Sequence, residues 1–243
     1  MEAEQFAYSM LTRSQRLSHE NLRVRDPAYV GRFEEWIAGR AFEQADQPAP
    51  AKAAGVPPML TAFRLRGTVL KNRIVVSPMA QYSAEGGTVG DFHMVHLGSR
   101  ALGGAGMVFA EMTCVSADAR ITPGCPGLYE PEHTAAWKRI VDFFHNSTDA
   151  KIAIQIGHAG AKGSTRRAWD GTDLPLDEGN WPLVSASSQQ YLEGVSQLAA
   201  EATREDLERI KNDFVRATGE AQKAGFDWLE LHCAHGYFLS SFI

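Results

Sequence analysis

Between positions 232 and 237 the chain carries two imidazoles, a thiol and a phenol: His232, Cys233, His235 and Tyr237. Such donors suggest zinc first. A tetrahedral site, however, needs three or four suitably spaced ligands, and neither C-x-x-C nor H-E-x-x-H accompanies them, so no metal is expected. Two imidazoles leaving a strand end can instead donate two hydrogen bonds to one carbonyl oxygen. That arrangement holds the enolate-like charge that grows when a conjugated carbonyl accepts hydride. Tyr237 can then hand a proton to carbon. Taken singly, each residue also reads as a satisfied core histidine or tyrosine.

Three further polar clusters follow apolar runs: Ser77-Pro78-Met79-Ala80-Gln81-Tyr82-Ser83, Glu111-Met112-Thr113 and Gln155-Ile156-Gly157-His158-Ala159-Gly160. Polar groups gathered at one end of several apolar strands are costly to bury without a ligand to satisfy them. The runs predict strands over 74–77, 107–111, 152–156 and 228–232, with helices over 92–102, 131–145 and 204–224 between them. The third helix has the expected stripe in Leu207, Ile210, Phe214, Ala217 and Ala221, and Gly225 stops it. Nearly unbroken apolar strands alternating with amphipathic helices indicate an α/β fold around a parallel sheet. Four such units predict the first half of a (β/α)8 TIM barrel, truncated after its fourth strand. In that fold, reactive groups sit at the carboxyl ends of the strands. An open doubly wound sheet is the alternative, but no glycine-rich strand-to-helix fingerprint supports it. Gly103-Gly104-Ala105-Gly106 follows a helix and precedes a strand, the reverse of a phosphate cradle, and reads as a helix stop. The stretch 160–203 lacks periodicity, and its Trp169 and Trp181 suit either a substrate lid or a plug.

Before the barrel pattern, Asp26 as N-cap and Pro27 in the first turn open a helix over 27–38, with Gly39 as its stop. Val30, Phe33, Trp36 and Ile37 make its apolar face. The Pro- and Ala-rich run that follows, with Pro48, Pro50, Pro57 and Pro58, suits a semi-rigid linker over 43–59.

Composition bounds the reading. The 243 residues carry 24 Lys+Arg against 29 Asp+Glu, a net charge of −5, with 44% hydrophobic residues. This suits a globular protein and offers no basic stripe for a nucleic-acid backbone. No run approaches the roughly 18 apolar residues of a membrane span. MEAEQFAYSM is no basic-then-apolar leader, and three cysteines without a C-x-x-C pair suit reduced thiols, so a cytoplasmic protein is expected. Cys114 and Cys125, lacking a basic helper, read as ordinary buried thiols.

KNRIVVSPMAQYSA, DFHMVHLGSRALGGAGMVFAEMT, IQIGHAG and DWLELHCAHGYFLSSF resemble the Old Yellow Enzyme family of FMN-dependent ene-reductases, in its shorter bacterial type. The resemblance covers about 60–243. It implies a TIM barrel with FMN at its mouth, passing hydride from NAD(P)H to the activated C=C of an α,β-unsaturated carbonyl compound. By motif, Ser77, Pro78, Met79, Ala80 and Met112 would line the flavin and Gln155 would bond its pyrimidine edge. His232 and His235 would hold the substrate carbonyl or the nicotinamide amide. Tyr237 would be the proton donor, and Tyr82 would approach the substrate oxygen. Two positions depart from the family pattern: Ala80 stands where a cysteine is usual, and Ala161 where H-A-G-R-K has arginine, losing a cation beside flavin or substrate. The second half of the barrel, with its FMN phosphate site, is absent, so this chain alone is expected to be inactive.

RSQRLSHENLRVRDPAYVGRFEEWIAG is similar to the junction of two-domain aryl-CoA monooxygenases, which join an FAD-dependent hydroxylase to an Old Yellow Enzyme-like domain. That similarity implies that 1–42 is the carboxyl-terminal tail of a hydroxylase and 43–59 the linker. FAD would then sit only in the upstream domain, and an aryl-CoA thioester would be the substrate. The full-length protein is expected to be a homo-oligomer. The alternatives are a free-standing ene-reductase or dienoyl-CoA reductase, and a non-catalytic half-barrel.

Overall fold

The computed structural model describes residues 3–12, 19–49 and 56–243. Residues 13–18 of the junction stretch and 50–55 of the expected linker lie outside the described residues. Two compact units emerge: Met1–Val75 with Gly104–Met107, and Val76–Gly103 with Val108–Ile243.

The first unit holds α1 (Ala3–Thr12), α2 (His19–Arg25) and α3 (Pro27–Ala45), then an antiparallel hairpin of β1 (Phe63–Leu65) and β2 (Thr68–Leu70). One helix is expected here and three are present among the described residues. Short helices without strong caps depend on burying side chains, and Met10 and Val30 are buried. Asp26 caps α3 as expected, its Oδ1 accepting from the Tyr29 N–H at 2.9 Å. The helix does not stop at Gly39. It runs on to Ala45 because Ala38, Ala41 and Ala45 continue a buried stripe, which offsets the roughly 1 kcal/mol cost of an internal glycine. The expected face holds in part: Val30 is buried and Phe33 and Ile37 are half-buried, but Trp36 is 60% exposed, while Glu34 is buried and paired with Arg23 at 3.0 Å. Near the hairpin, the Asn72 amide donates to the Gly104 carbonyl, and a Cβ on Gly106 would lie 2.3 Å from the Asn72 carbonyl oxygen. Gly104 turns at φ +103, so the glycine run is a tight helix-to-strand turn, as its context implied.

The second unit is built on a four-stranded sheet ordered β3-β4-β5-β9: β3 (Val75–Val76), β4 (Met107–Cys114), β5 (Lys151–Gly157) and β9 (Trp228–Leu231). Helices α4 (Asp91–Leu102), α5 (Pro131–Ser147) and α7 (Arg204–Ala224) alternate with these strands. β5 and β9 pair in parallel, and Ile152 to Gly157 are buried without a break. Thr203 and Asp206 cap α7 reciprocally, and Gly225 ends it in the left-handed conformation.

The stretch without periodicity contains elements too short to leave one: α6 (Ala168–Gly171), β6 (Val184–Ser185), β7 (Gln189–Gln190) and β8 (Leu198–Glu201). The three strands form a small sheet ordered β6-β8-β7. Trp181 plugs its core against Ala161, Leu183 and Ala199. Trp169, by contrast, is 62% exposed beside the Tyr82 ring. Ala161 therefore packs into this small core.

Candidate active site

A cleft of about 550 Å³ opens at the carboxyl ends of the strands in the second unit. One wall is apolar and made of Pro78, Ala80 and Met112, with Ile121 beside them; Gln155 and Glu230 form the next, and His232, His235 and Tyr237 the third. Strand alternation explains the grouping, because Glu230 and His232 are two residues apart and share a face. Gly157 lets the floor close: a Cβ there would lie 2.8 Å from Met112 Sδ and 3.2 Å from His232 Cβ.

Three of the expected residues do not line the cleft. Ser77 and Met79 are exposed on the first loop, and Tyr82 sits behind its rim with ring centroid 6.5 Å from that of Trp169. Tyr82 and His235 both hold positive φ, 50° and 60°, a sparsely populated region for side-chain-bearing residues. Burial pushes the Tyr82 phenol up to about 12, with Cys125 and Asp173 adding to it. Burial likewise raises the Tyr237 phenol, so both hold their protons across the physiological range.

The two histidines are joined in series rather than side by side. The Ala234 N–H donates to His232 Nδ1 at 3.2 Å, which assigns the proton of the neutral ring to Nε2. That Nε2 lies 3.1 Å from His235 Nδ1 and donates to it, leaving His235 Nε2–H as the open donor. Burial, with His235 beside it, lowers the His232 pKa and favours this neutral form. Two parallel donors, the arrangement anticipated from sequence, require a ligand oxygen to displace His235 as the acceptor of the His232 proton. The Tyr237 ring lies 4.8 Å from His232 and 6.0 Å from His235.

Glu230 and Glu111 had no role in the sequence reading. Glu230 accepts from Gln155 Nε2 at 2.6 Å. Glu111, buried behind the apolar wall, accepts from the Gln81 N–H at 2.7 Å and lies 3.3 Å from His93 Nε2, a contact short of good hydrogen-bond geometry. It thereby ties the first loop to β4. The period-two rule would have pointed to Glu230 from His232; no local signal marks Glu111 as a loop anchor. His158 faces inward, 2% exposed, accepting the Gly160 N–H at Nδ1, and burial lowers its pKa to about 4. Cys114 and Cys125 are buried free thiols, and burial pushes Cys114 up. Among the described residues, no group of three or more His, Cys, Asp or Glu side chains could hold a metal, and no helix is long and apolar enough to cross a membrane.

These residues fit a flat, partly polar ring system. Pro78, Ala80 and Met112 offer an apolar face, and Gln155 Oε1 is an acceptor without a partner among the described residues.

Residues 59–243 match the family model described as the NADH:flavin oxidoreductase / NADH oxidase family. An NADH:flavin oxidoreductase of Gibberella zeae is 38% identical over 202 residues, which are 82% of this chain and 49% of the relative. An NADPH dehydrogenase of Listeria welshimeri is 39% identical over 187 residues, 76% of this chain and 51% of that protein. The chain thus spans about half the length of the curated relatives it matches. Among solved structures, morphinone reductase superposes with a TM-score of 0.62 at 22% identity, covering 74% of this chain and 49% of that one. The old yellow enzyme homologue of Zymomonas mobilis gives 0.62 at 23%, over 74% and 49%. At that identity the likeness is one of fold: an α/β arrangement with a parallel sheet, like that of the old yellow enzyme.

Proposed function

The chain belongs to the NADH:flavin oxidoreductase / NADH oxidase family, and on that premise we propose that it forms the active-site half of an FMN-dependent ene-reductase. The substrate class is an α,β-unsaturated carbonyl compound. The observation that carries this reading is the meeting, in one cleft, of an apolar wall, an open amide acceptor at Gln155 and the His232–His235–Tyr237 group.

Bound FMN supplies the carrier of hydride between NAD(P)H and the substrate C=C. The chain's own residues do the rest. Pro78, Ala80 and Met112 cover the ring face and exclude water. Gln155 would bond its polar edge, and Ser77 and Met79 belong to the loop that carries Pro78 and Ala80. His232 and His235 hold the substrate carbonyl oxygen, so that charge moving onto it as the β-carbon gains hydride is met by N–H donors. Tyr237, kept protonated by burial, gives its proton to the α-carbon and regains one from solvent. Tyr82, which does not line the cleft, has no step here.

Residues 60–243 are, in this reading, the amino-terminal half of a (β/α)8 barrel. Two features support it: the open edge of β9, where Leu231 is 50% exposed, and an apolar hollow of about 390 Å³ between Ile210, Phe214, Phe238 and Phe242. Residues 1–42 are then the tail of a flavin hydroxylase-like domain that carries FAD, and 43–59 the linker of a bifunctional aryl-CoA monooxygenase and reductase, a cytoplasmic homo-oligomer. Lys162 supports an anionic thioester substrate. It lies over the Tyr191 ring at 4.1 Å and 5.9 Å from the Tyr237 ring, with no carboxylate partner among the described residues.

The test is anaerobic. The purified full-length protein, with both halves of the barrel, should be yellow, be bleached by NADH or NADPH, and regain its colour on addition of 2-cyclohexenone or an unsaturated thioester. Flavin-free protein, or colour that returns only with oxygen, would sink the reading.

A further inference from the structure

Gln155 and Glu230 are register partners across β5 and β9, so their side chains leave the sheet on the same face. Gln155 Nε2 donates to Glu230 Oε1 at 2.6 Å. An ionised carboxylate only accepts, so this bond settles which end of the amide turns toward Glu230. The other end, Oε1, has no partner among the described residues and opens onto the cleft. We propose that Glu230 is a positioning residue that holds the Gln155 carbonyl oxygen toward the cleft, so that this wall selects a ring edge bearing an N–H donor. The inference rests on the FMN reading, in which that donor is the N3–H of the isoalloxazine.

The alternative is an amide free to turn. Such an amide presents NH2 or C=O with equal ease and takes a carbonyl edge as well as an N–H edge. Two features of Glu230 act against that freedom. Its oxygen takes one of the two Nε2 protons and so anchors the NH2 end toward Glu230, and its negative charge would oppose loss of the ring's N3 proton. Both act in the same direction, toward a neutral N–H that is held as a donor. Strand pairing on either side makes the arrangement rigid: Leu229 and Leu231 are register partners of Ile154 and Ile156, fixing the backbone from which both side chains project.

The experiment substitutes Glu230→Gln in the FMN-loaded full-length protein and follows the absorbance of bound flavin as pH is raised, which reads the N3 proton. In E230Q that proton should leave at lower pH than in the unsubstituted protein, by about one unit, a tenfold fall in proton affinity. An unchanged titration would overturn the proposal. Should E230Q not fold, Glu230→Asp carries the test, since it keeps the charge and withdraws the oxygen by one methylene. Its N3 proton must also leave earlier, and no shift would count against the role. A second readout needs no flavin. The side-chain amide protons of Gln155 should exchange slowly with solvent in the unsubstituted protein and at least about tenfold faster once Glu230 is replaced, as expected for loss of a charge-assisted hydrogen bond. Equal exchange would overturn the positioning role. An unsubstituted protein that takes up no FMN would count against the function reading alone, and the exchange measurement would still decide the orientation of the amide.

Discussion

At the Gln155 end of the cleft, two paired strands hold a carboxylate and an amide in register, and the hydrogen bond between them fixes what the wall presents. At the other end, His232, His235 and Tyr237 stand where β9 has given way to a loop, with His235 at positive φ and its ring occupied by its neighbour. A binding wall gains from being set in advance, because no conformational entropy remains to be lost. A wall that must release a substrate is served by donors whose resting bond is to each other, since the unliganded protons then have a partner. The inter-ring bond costs the site some affinity in return.

The largest effect that would sharpen this contrast is Tyr237→Phe. If Tyr237 is the proton donor, its loss should slow reoxidation of reduced enzyme by an enone about 1,000-fold, within the range for a positioned acid. Reduction by NAD(P)H should change little. Rapid mixing of the two half-reactions checks this, and equal slowing of both would mark Tyr237 as packing.

Next is His158, which links the two ends: its carbonyl accepts from the Phe238 N–H at 3.0 Å, and it stands three residues beyond Gln155. Its folded pKa of about 4 lies below the unfolded value of 6.5. The unfolded chain therefore binds the extra proton between those values. Stability from this group is complete above pH 6.5 and lost as pH falls toward 4, by about 3 kcal/mol over the interval. Thermal melts at pH 7 and pH 4.5 should show a steeper loss in the parent protein than in His158→Asn. Parallel losses would mean that the ring is solvated in solution.

The histidines come third. The double change His232→Ala with His235→Ala should weaken a phenolic ligand about 100-fold, the worth of two hydrogen bonds, while flavin stays bound. Each single change should cost about tenfold when ligand binding puts both donors on one oxygen. If His232→Ala alone costs nothing, the rings remain in series with ligand present and only His235 donates. Titration of the long-wavelength charge-transfer band separates these outcomes.

Much of this contrast was legible in the sequence. The four strands and the three helices between them emerged near their observed bounds, because buried strands and an amphipathic stripe such as that of α7 leave strong periodicities. The cleft-lining residues emerged because the strand ends collect polar groups that a core would not keep. What stayed hidden is short or tertiary. β6, β7 and α6 are each four residues or fewer and have no period to detect. The end of α3 was misplaced because glycine's local preference is weaker than the burial of Ala41 and Ala45. The series bond between the histidines depends on ring orientations that follow from the left-handed turn at His235, and no residue type announces that turn.

Glu111 gives the smallest effect and bears on the apolar wall. It is buried, at 4% exposure, and its Oε2 accepts from the Gln81 N–H. The His93 contact of the same carboxylate runs instead to α4. Glu111→Ala leaves the Gln81 amide without its acceptor, a loss of about 1–2 kcal/mol. The loop that carries Pro78 and Ala80 would then sample positions off the ring face. FMN affinity should fall about tenfold, while Glu111→Gln, whose amide oxygen can still accept, should restore most of it. Fluorescence titration of the apoprotein with FMN measures both. If the two variants bind equally weakly, the charge itself matters and the apolar wall is held electrostatically. If both bind like the parent, the first loop is as preset as the Gln155 wall and needs no anchor.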